Sequence, residues 1–389
     1  MNIGIDLTSF YTPQYFLDLK VLAGVRGVDP DKFYVGIGQE KMGIPPPDED
    51  IVTMAASAAK PILDQVGRDD IELFLLATES GIDQSKAAAL FAHSLLKLPT
   101  RCRALELKEA CYGATAGLQM AVAWVARNPS KKALVIGTDI ARYDLRSPGE
   151  PTQGAGAVAL LVAANPRVLA IDPESGYHAE DVMDFWRPNY RDEALVDGKY
   201  SMRVYISTMM DAWRQYAKLS GRRFEDFAAF CYHLPFTKMA EKAHVRLAKE
   251  AGVAEPTDEQ IGQQIGTSLL YNRITGNTYT ASLYEGLNSL LDHAGDLANR
   301  RLALFSYGSG CMAEFFSGVV QPGYRDHLFT AKHRNLLDNR TELTYQQYED
   351  IFQLGFPTDG GEHTFAQYRT GPFRLSGVNQ HKRIYEALK

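Results

Sequence analysis

Apolar and polar positions along the first half of the chain fall into blocks that switch between two periods. Residues 71–76 are apolar except for Glu72 and predict a buried strand. Residues 85–96 carry a helical pattern, with Pro99 just past its end. Residues 101–107 alternate and predict a second strand. Residues 112–127, rich in Ala with Leu118, Met120, Val122 and Val125, predict a buried helix. Residues 132–137 predict a strand, and the apolar run 154–163 predicts a central one after a Gly-containing turn. Strands that alternate with helices imply layered α/β architecture with much of the sheet buried on both faces.

The middle of the chain breaks this pattern. Residues 172–203 mix aromatics, Pro and charges, as in Asp184-Phe185-Trp186-Arg187-Pro188, and predict a long functional loop or an insertion. The α/β pattern then resumes. Strands are expected at 227–232, 301–307 and 312–320, and helices at 236–251 and 279–293. The second half thus echoes the first without a residue-level repeat. The expected division is 1–165 and 166–389. After about residue 341 the pattern is a helical patch followed by a polar tail.

Composition narrows the function classes. A hydrophobic share of 45% supports a full core, and a net charge of −6 argues against general affinity for nucleic acid or anionic membrane. The four cysteines, Cys102, Cys111, Cys231 and Cys311, form no CxxC pair, so neither a metal site nor a redox motif is expected. The N-terminus lacks a basic region followed by an apolar stretch, and the longest apolar run, 155–164, is too short to span a bilayer. A cytoplasmic protein is expected.

Cys111 stands where the strand 101–107 turns into the helix 112–127, among small residues that leave room for an acyl group. A thiol in the first turn of a helix feels the positive end of the macrodipole, which lowers its pKa. Glu79 follows the strand 71–76, His233 follows the strand 227–232, and Asn277 precedes a helix. Cys, His and Asn form a recurring set for thiol catalysis, and a carboxylate adds a general base. Taken singly, each has an ordinary reading: a buried thiol, a satisfied histidine, a cap, a turn residue. Lys238 and Lys242 share one helix face and suit either solvent or substrate phosphates. Residues 149–156 read as a tight turn into a strand rather than a phosphate loop.

Together these motifs resemble the 3-hydroxy-3-methylglutaryl-CoA synthase family. The matching pieces include Gly36-Ile37-Gly38-Gln39, Ala77-Thr78-Glu79-Ser80, Glu109-Ala110-Cys111-Tyr112-Gly113, Asp184-Phe185-Trp186-Arg187-Pro188, His233-Leu234-Pro235-Phe236-Thr237-Lys238, Gly276-Asn277-Thr278-Tyr279 and Ser306-Tyr307-Gly308-Ser309-Gly310. The resemblance runs from the N-terminus to about residue 340, and Cys311 departs from it where a small apolar residue is expected. It implies a thiolase-like fold of two similar α/β halves stacked in five layers, a homodimer, and no cofactor, because CoA thioesters are substrates. It further implies that acetyl-CoA acylates Cys111 and CoA leaves, and that Glu79 then deprotonates the acetyl methyl group. The enolate attacks acetoacetyl-CoA, His233 protonates the alkoxide, and water releases the product. Glu79 is not expected to be needed for the first, thioester-exchange step.

By motif position, the resemblance implies that Asn277 and Ser309 bind the acetoacetyl part. Tyr143 and Thr152 line the acyl pocket, and Ser201 contacts substrate near its thioester. Lys238 and Lys242 meet CoA phosphates, with Asp29 and Pro30 at the adenine end. The alternatives are a ketoacyl synthase III-like condensing enzyme, which needs no counterpart of Glu79, and an inactive thiolase-fold binding protein.

Overall fold

A computed structural model describes residues 1–388. Nine strands build its core: β1 (Ile3–Tyr11), β2 (Ile71–Ala77), β3 (Arg103–Leu107), β4 (Lys132–Ile140), β5 (Ala155–Ala164), β6 (Leu169–Ala179), β7 (Ala229–Tyr232), β8 (Arg301–Gly308) and β9 (Met312–Val320). Six helices cover them: α1 (Ile51–Val66), α2 (Ala88–Leu95), α3 (Gly113–Arg127), α4 (Gly198–Ser220), α5 (Thr237–Glu250) and α6 (Ser282–His293).

The strands hydrogen-bond in the order β7-β8-β9-β6-β1-β5-β4-β2-β3. This order is nearly a mirror image about the β6–β1 junction. On one side β2 and β4 are parallel, and β4, β5 and β1 run antiparallel in turn. On the other side β7 and β8 are parallel, and β8, β9 and β6 run antiparallel in turn. Strand β3 adds to the first set alone, pairing parallel with β2. Only Gly4 with Ala170 and Ile5 with Leu169 join the two sets. Gly4 permits that approach, since a Cβ there would lie 2.1 Å from the Leu169 carbonyl oxygen.

Burial along the strands explains the layering. Leu73, Leu75 and Ala77 of β2 face a central core shared with α3 and α6, while Phe74 and Leu76 face a core under α1 and α2. Leu302 and Leu304 of β8 face the central core, while Ala303 and Phe305 face a third one under α4 and α5. Alternate residues of one strand thus serve two cores, and apolar runs on both phases follow. The stack is helices, sheet, α3 with α6, sheet, helices: a thiolase-like fold in five layers.

Three sequence expectations need correction. Residues 172–203 are not one loop. Asp172–Ala179 completes β6, and α4 begins at Gly198 with Asp197 as its cap, accepting from the Tyr200 N–H at 3.0 Å. Only 180–197 is irregular, crossed by the short ladder Phe185–Trp186 with Leu195–Val196. The helix expected at 85–96 is shorter, Ala88–Leu95, because 80–87 turns beneath the sheet edge. The expected C-terminal helical patch is present as Tyr345–Gln353, which sends the Tyr348 hydroxyl to Glu150, but the segment after it is not simply a polar tail: a hairpin, Phe373–Asn379 with Lys382–Ala387, places Arg374 on Asp48 at 3.0 Å. Among the described residues no helix is long and apolar enough to cross a membrane.

Candidate active site

Strands β2 and β3 are neighbours, and their C-terminal ends carry Glu79 and Cys111. The chain between β3 and α3 is a tight elbow. Ala110 holds a φ of 40°, a left-handed conformation that L residues rarely adopt, and the Tyr112 N–H donates to the Glu109 carbonyl at 3.0 Å. Gly308, the last residue of β8, packs beneath it. The elbow lifts the Cys111 side chain toward Glu79, and its Sγ donates to Glu79 Oε1 at 3.1 Å.

This geometry corrects the expected thiol acidity. Cys111 precedes Tyr112, the cap of α3, and so lies outside the first helical turn. Burial pushes its thiol well above the ordinary cysteine range, and the Glu79 carboxylate beside it pushes further the same way. The dipole is outweighed by desolvation and by a nearby like charge. The resting nucleophile is a thiol hydrogen-bonded to its base.

Glu79 is itself perturbed. Burial pushes its carboxyl up to about 8 and Asp139 adds to this, while the Cys111 thiol and the Arg187 guanidinium pull it down. Asp139, on β4, is fully buried and ties the site together. Its Oδ1 accepts from the Glu79 N–H at 2.8 Å and the Thr78 hydroxyl at 2.8 Å. Its Oδ2 accepts from the Thr280 hydroxyl at 2.5 Å and the Thr280 N–H at 3.1 Å. One carboxylate therefore fixes the Glu79 loop to the loop that carries Asn277.

Cys111 opens onto a cavity of about 420 Å³. His233, Tyr143, Thr152, Ser201, Asn277 and Ser309 all line it. His233 continues from β7, its N–H donating to the Phe305 carbonyl at 2.8 Å and its carbonyl accepting from the Tyr205 hydroxyl at 2.9 Å. Burial lowers its pKa to about 3, so the imidazole is neutral at physiological pH. Its Nδ1 is buried without a partner. The Asn277 Oδ1 accepts from the Tyr279 N–H at 2.9 Å, which leaves the amide nitrogen for the cavity. The ring of Phe185 meets those of Tyr143 and Tyr279 at centroid distances of 6.2 and 5.7 Å, forming an aromatic wall beside the thiol. Such a small, largely apolar chamber with a few convergent polar groups suits a short acyl chain.

Five of the expected residues are not part of this cavity's lining: Glu79, which lines the adjoining cavity, and Lys238, Lys242, Asp29 and Pro30. Lys238 pairs with Glu241, and Lys242 is exposed, 5.8 Å from the Phe236 ring centroid. Their neighbours Phe236 and Met239 do line the cavity, so both lysines stand near its rim. The Asp29 carboxylate accepts from the Asp31 N–H at 2.9 Å, just ahead of the short helix Asp31–Tyr34, whose cap is Pro30. The chain after that helix meets the start of α5, where the Lys238 N–H donates to the Ile37 carbonyl at 3.1 Å. Asp29, Pro30 and the lysines thus belong to adjoining surface segments. Cys311 is buried, and burial raises its thiol to about 11.

Sequence reasoning missed Asp139 and Asp184 as organising residues. Asp184 is fully buried and accepts from the Tyr307 hydroxyl at 2.6 Å, the Ser201 hydroxyl at 2.9 Å and the Gly310 N–H at 3.0 Å. The available signal for Asp139 was a single acid inside the apolar run of β4, which a buried strand tolerates only with several donors around it.

Comparison with known proteins identifies the family. The profile for the N-terminal region of hydroxymethylglutaryl-coenzyme A synthase matches residues 1–167, and that for its C-terminal region matches 169–260 and 248–356. A hydroxymethylglutaryl-CoA synthase of Enterococcus faecalis is 46% identical over 99% of this chain and 100% of its own length. The polyketide biosynthesis 3-hydroxy-3-methylglutaryl-ACP synthase PksG of Bacillus subtilis is 35% identical over 99% of this chain and 96% of its own. A crystal structure of an HMG-CoA synthase complexed with CoA superposes with a TM-score of 0.95 at 41% identity, covering 100% of both chains. MvaS in complex with 3-hydroxy-3-methylglutaryl coenzyme A gives 0.91 at 39% identity, covering 100% of this chain and 99% of the other. The chain belongs to the hydroxymethylglutaryl-coenzyme A synthase family.

Proposed function

We propose that this protein condenses acetyl-CoA with acetoacetyl-CoA and water to give 3-hydroxy-3-methylglutaryl-CoA and CoA, the step that feeds the mevalonate route to isoprenoids. The observation that carries this reading is the direct hydrogen bond between Cys111 and Glu79 beside a cavity that also holds His233. A decarboxylating ketoacyl synthase has no use for that carboxylate, and an inactive binder has no use for either group.

The chemistry follows from the contacts. Glu79 takes the thiol proton, and the Cys111 thiolate attacks the acetyl thioester. The tetrahedral oxyanion faces the Cys111 N–H. CoA leaves, taking the proton from Glu79. The freed carboxylate, with its raised proton affinity, then removes an α-proton from acetyl-Cys111. The resulting enolate attacks the ketone of acetoacetyl-CoA. His233 hydrogen-bonds the ketone oxygen and delivers a proton to the alkoxide, and solvent returns a proton from Glu79 to the imidazole. Water finally attacks the Cys111 thioester, one of its protons returns to the sulfur, and the product leaves.

Tyr143 and Thr152 shape the acetyl end, Asn277 and Ser309 the acetoacetyl end, and Ser201 the thioester end. Lys238, Lys242, Asp29 and Pro30 serve the CoA tail at the rim. The scheme calls on no metal or cofactor. A cytoplasmic homodimer fits the family. The test is incubation with acetyl-CoA, then with acetoacetyl-CoA. Acetylation of Cys111 followed by loss of the acetoacetyl-CoA enolate absorbance supports the reading, and acetylation without that loss contradicts it.

A further inference from the structure

The segment Asp184–Pro188 runs between two cavities. The smaller is the acyl chamber of about 420 Å³, lined by Cys111 and Phe185. The larger, about 1140 Å³, is lined by Glu79 and Arg187. Two positions of one short segment therefore reach opposite sides of the wall that Glu79 completes. The segment is anchored at Asp184, whose carboxylate holds Tyr307, Ser201 and the Gly310 N–H of the second half of the chain. Arg187 is delivered from this anchor to Glu79. One of its guanidinium N–H groups donates to the Glu79 carbonyl oxygen, and another donates to the Asp192 carbonyl at 3.5 Å.

We propose that Arg187 is a positioning residue for the general base: it clamps the Glu79 backbone and supplies the cation that keeps the Glu79 carboxylate available. The proposal rests on the reading of Glu79 as the base. Burial and two acids oppose ionisation of Glu79, and the Arg187 cation favours it. Asp139 on β4 and Glu109 in the elbow act on it as like charges. Cys111 donates to it, and the hydroxyls of Tyr143 and Tyr279 are close enough to feel its charge. Among the largest influences on Glu79, Arg187 is the cation that offsets the two acids. A buried carboxylate beside a second acid is ionised in only a minority of molecules at neutral pH, and losing the cation would shrink that active fraction further. A guanidinium suits the task because it stays charged when half-buried and offers several donors at once.

The test is the pH dependence of kcat/KM for condensation in four proteins. These are wild type, Glu79→Gln, Arg187→Gln, which keeps a donor without the charge, and Arg187→Lys, which keeps the charge. Loss of a nearby opposite charge shifts a carboxylate by about one unit, so the acidic limb of Arg187→Gln should move up by about one pH unit. Its activity at neutral pH should then fall about tenfold and recover at high pH, while Arg187→Lys keeps a limb near that of wild type. KM for acetyl-CoA should stay within about twofold, because Arg187 lies outside the acyl chamber. A uniform loss at every pH with the limb unmoved, in a protein whose Glu79→Gln variant lacks the limb, would overturn the role of Arg187 and leave Glu79 as the base. A limb retained in Glu79→Gln would overturn the base assignment and the Arg187 proposal together. Thermal melting of each variant separates a folding defect from these outcomes, and Arg187→Lys carries the comparison if Arg187→Gln does not fold.

Discussion

Cys111 Sγ donates to Glu79 Oε1 across 3.1 Å, so the nucleophile and the base are hydrogen-bonded to each other before any substrate arrives. They reach this position from adjacent parallel strands whose last residues, Ala77 and Leu107, are paired. A shared proton links the two groups, and the chemistry of one step sets the state of the next.

The contact changes the expectation that thioester exchange is independent of Glu79. Glu79→Gln leaves the thiol without a proton acceptor, so acetylation of Cys111 should slow by about ten- to a hundredfold. Condensation should slow by about two to four orders, because carbon acid chemistry needs the base as well. Rapid-quench acetylation and steady-state condensation measure the two. Equal losses would confine Glu79 to activating the thiol.

The same carboxyl should make stability depend on pH. Its pKa is raised from 4.5 to about 8, so the folded protein holds a proton that the unfolded chain releases. The stabilisation is full below the lower value and is lost as pH climbs through the higher one. Glu79→Gln carries no charge to bury. Its melting temperature relative to wild type should therefore rise between about pH 5 and pH 9, with a gain of about 1–3 kcal/mol at the alkaline end. A difference that stays constant across that range would mean that Glu79 titrates normally.

His233 should remain neutral. Its pKa is lowered to about 3 by burial, so its ring resonances should not titrate above about pH 5. As a neutral donor to the ketone oxygen, it should matter to acetoacetyl-CoA and not to acetylation. His233→Ala should weaken acetoacetyl-CoA binding about tenfold or more and leave acetylation within about threefold. An imidazole that titrates near neutrality, or unchanged affinity, would contradict this role.

Gly308 tests the elbow. A Cβ there would lie 2.5 Å from the Glu109 carbonyl oxygen and 2.8 Å from the Tyr112 nitrogen. These are backbone atoms that cannot swing aside. Gly308→Ala should displace Cys111 from Glu79 and lower the acetylation rate by about tenfold or more, with a stability loss of about 1–3 kcal/mol. Wild-type acetylation in a stable Ala variant would show that the elbow tolerates movement.

Strands β2, β4, β5, β8 and β9 were legible because both of their faces are buried, whereas β1 was not read from the sequence and the partly exposed β6 was taken for part of a loop or insertion. The range expected for β9 matches the structure, 312–320, since its apolar residues serve two cores. Helix α4 was hidden because its buried face is made of Tyr205, Trp213 and Tyr216, which resemble loop aromatics when mixed with charges. Helix α1 was obscured by Pro61, which reads as a helix breaker inside an otherwise apolar run. The line-up of Cys111, His233 and Asn277 on one cavity was foreshadowed by their places at element ends, and that of Ser309 by the family resemblance alone. The acids that hold the loops, Asp139 and Asp184, and the elevated proton affinity of Cys111, depend on contacts between distant segments, which no spacing rule encodes.

In the proposed reaction, one Cys111–Glu79 pair performs both acyl transfer and carbon–carbon bond formation. Mass spectrometry of the protein after acetyl-CoA, then after acetoacetyl-CoA, follows both on one sample. In wild type an acetyl adduct on Cys111 should form and disappear with formation of 3-hydroxy-3-methylglutaryl-CoA. In Glu79→Gln the adduct should form slowly and persist when acetoacetyl-CoA is added. An adduct in Glu79→Gln that is consumed as quickly as in wild type would contradict a shared role for the pair.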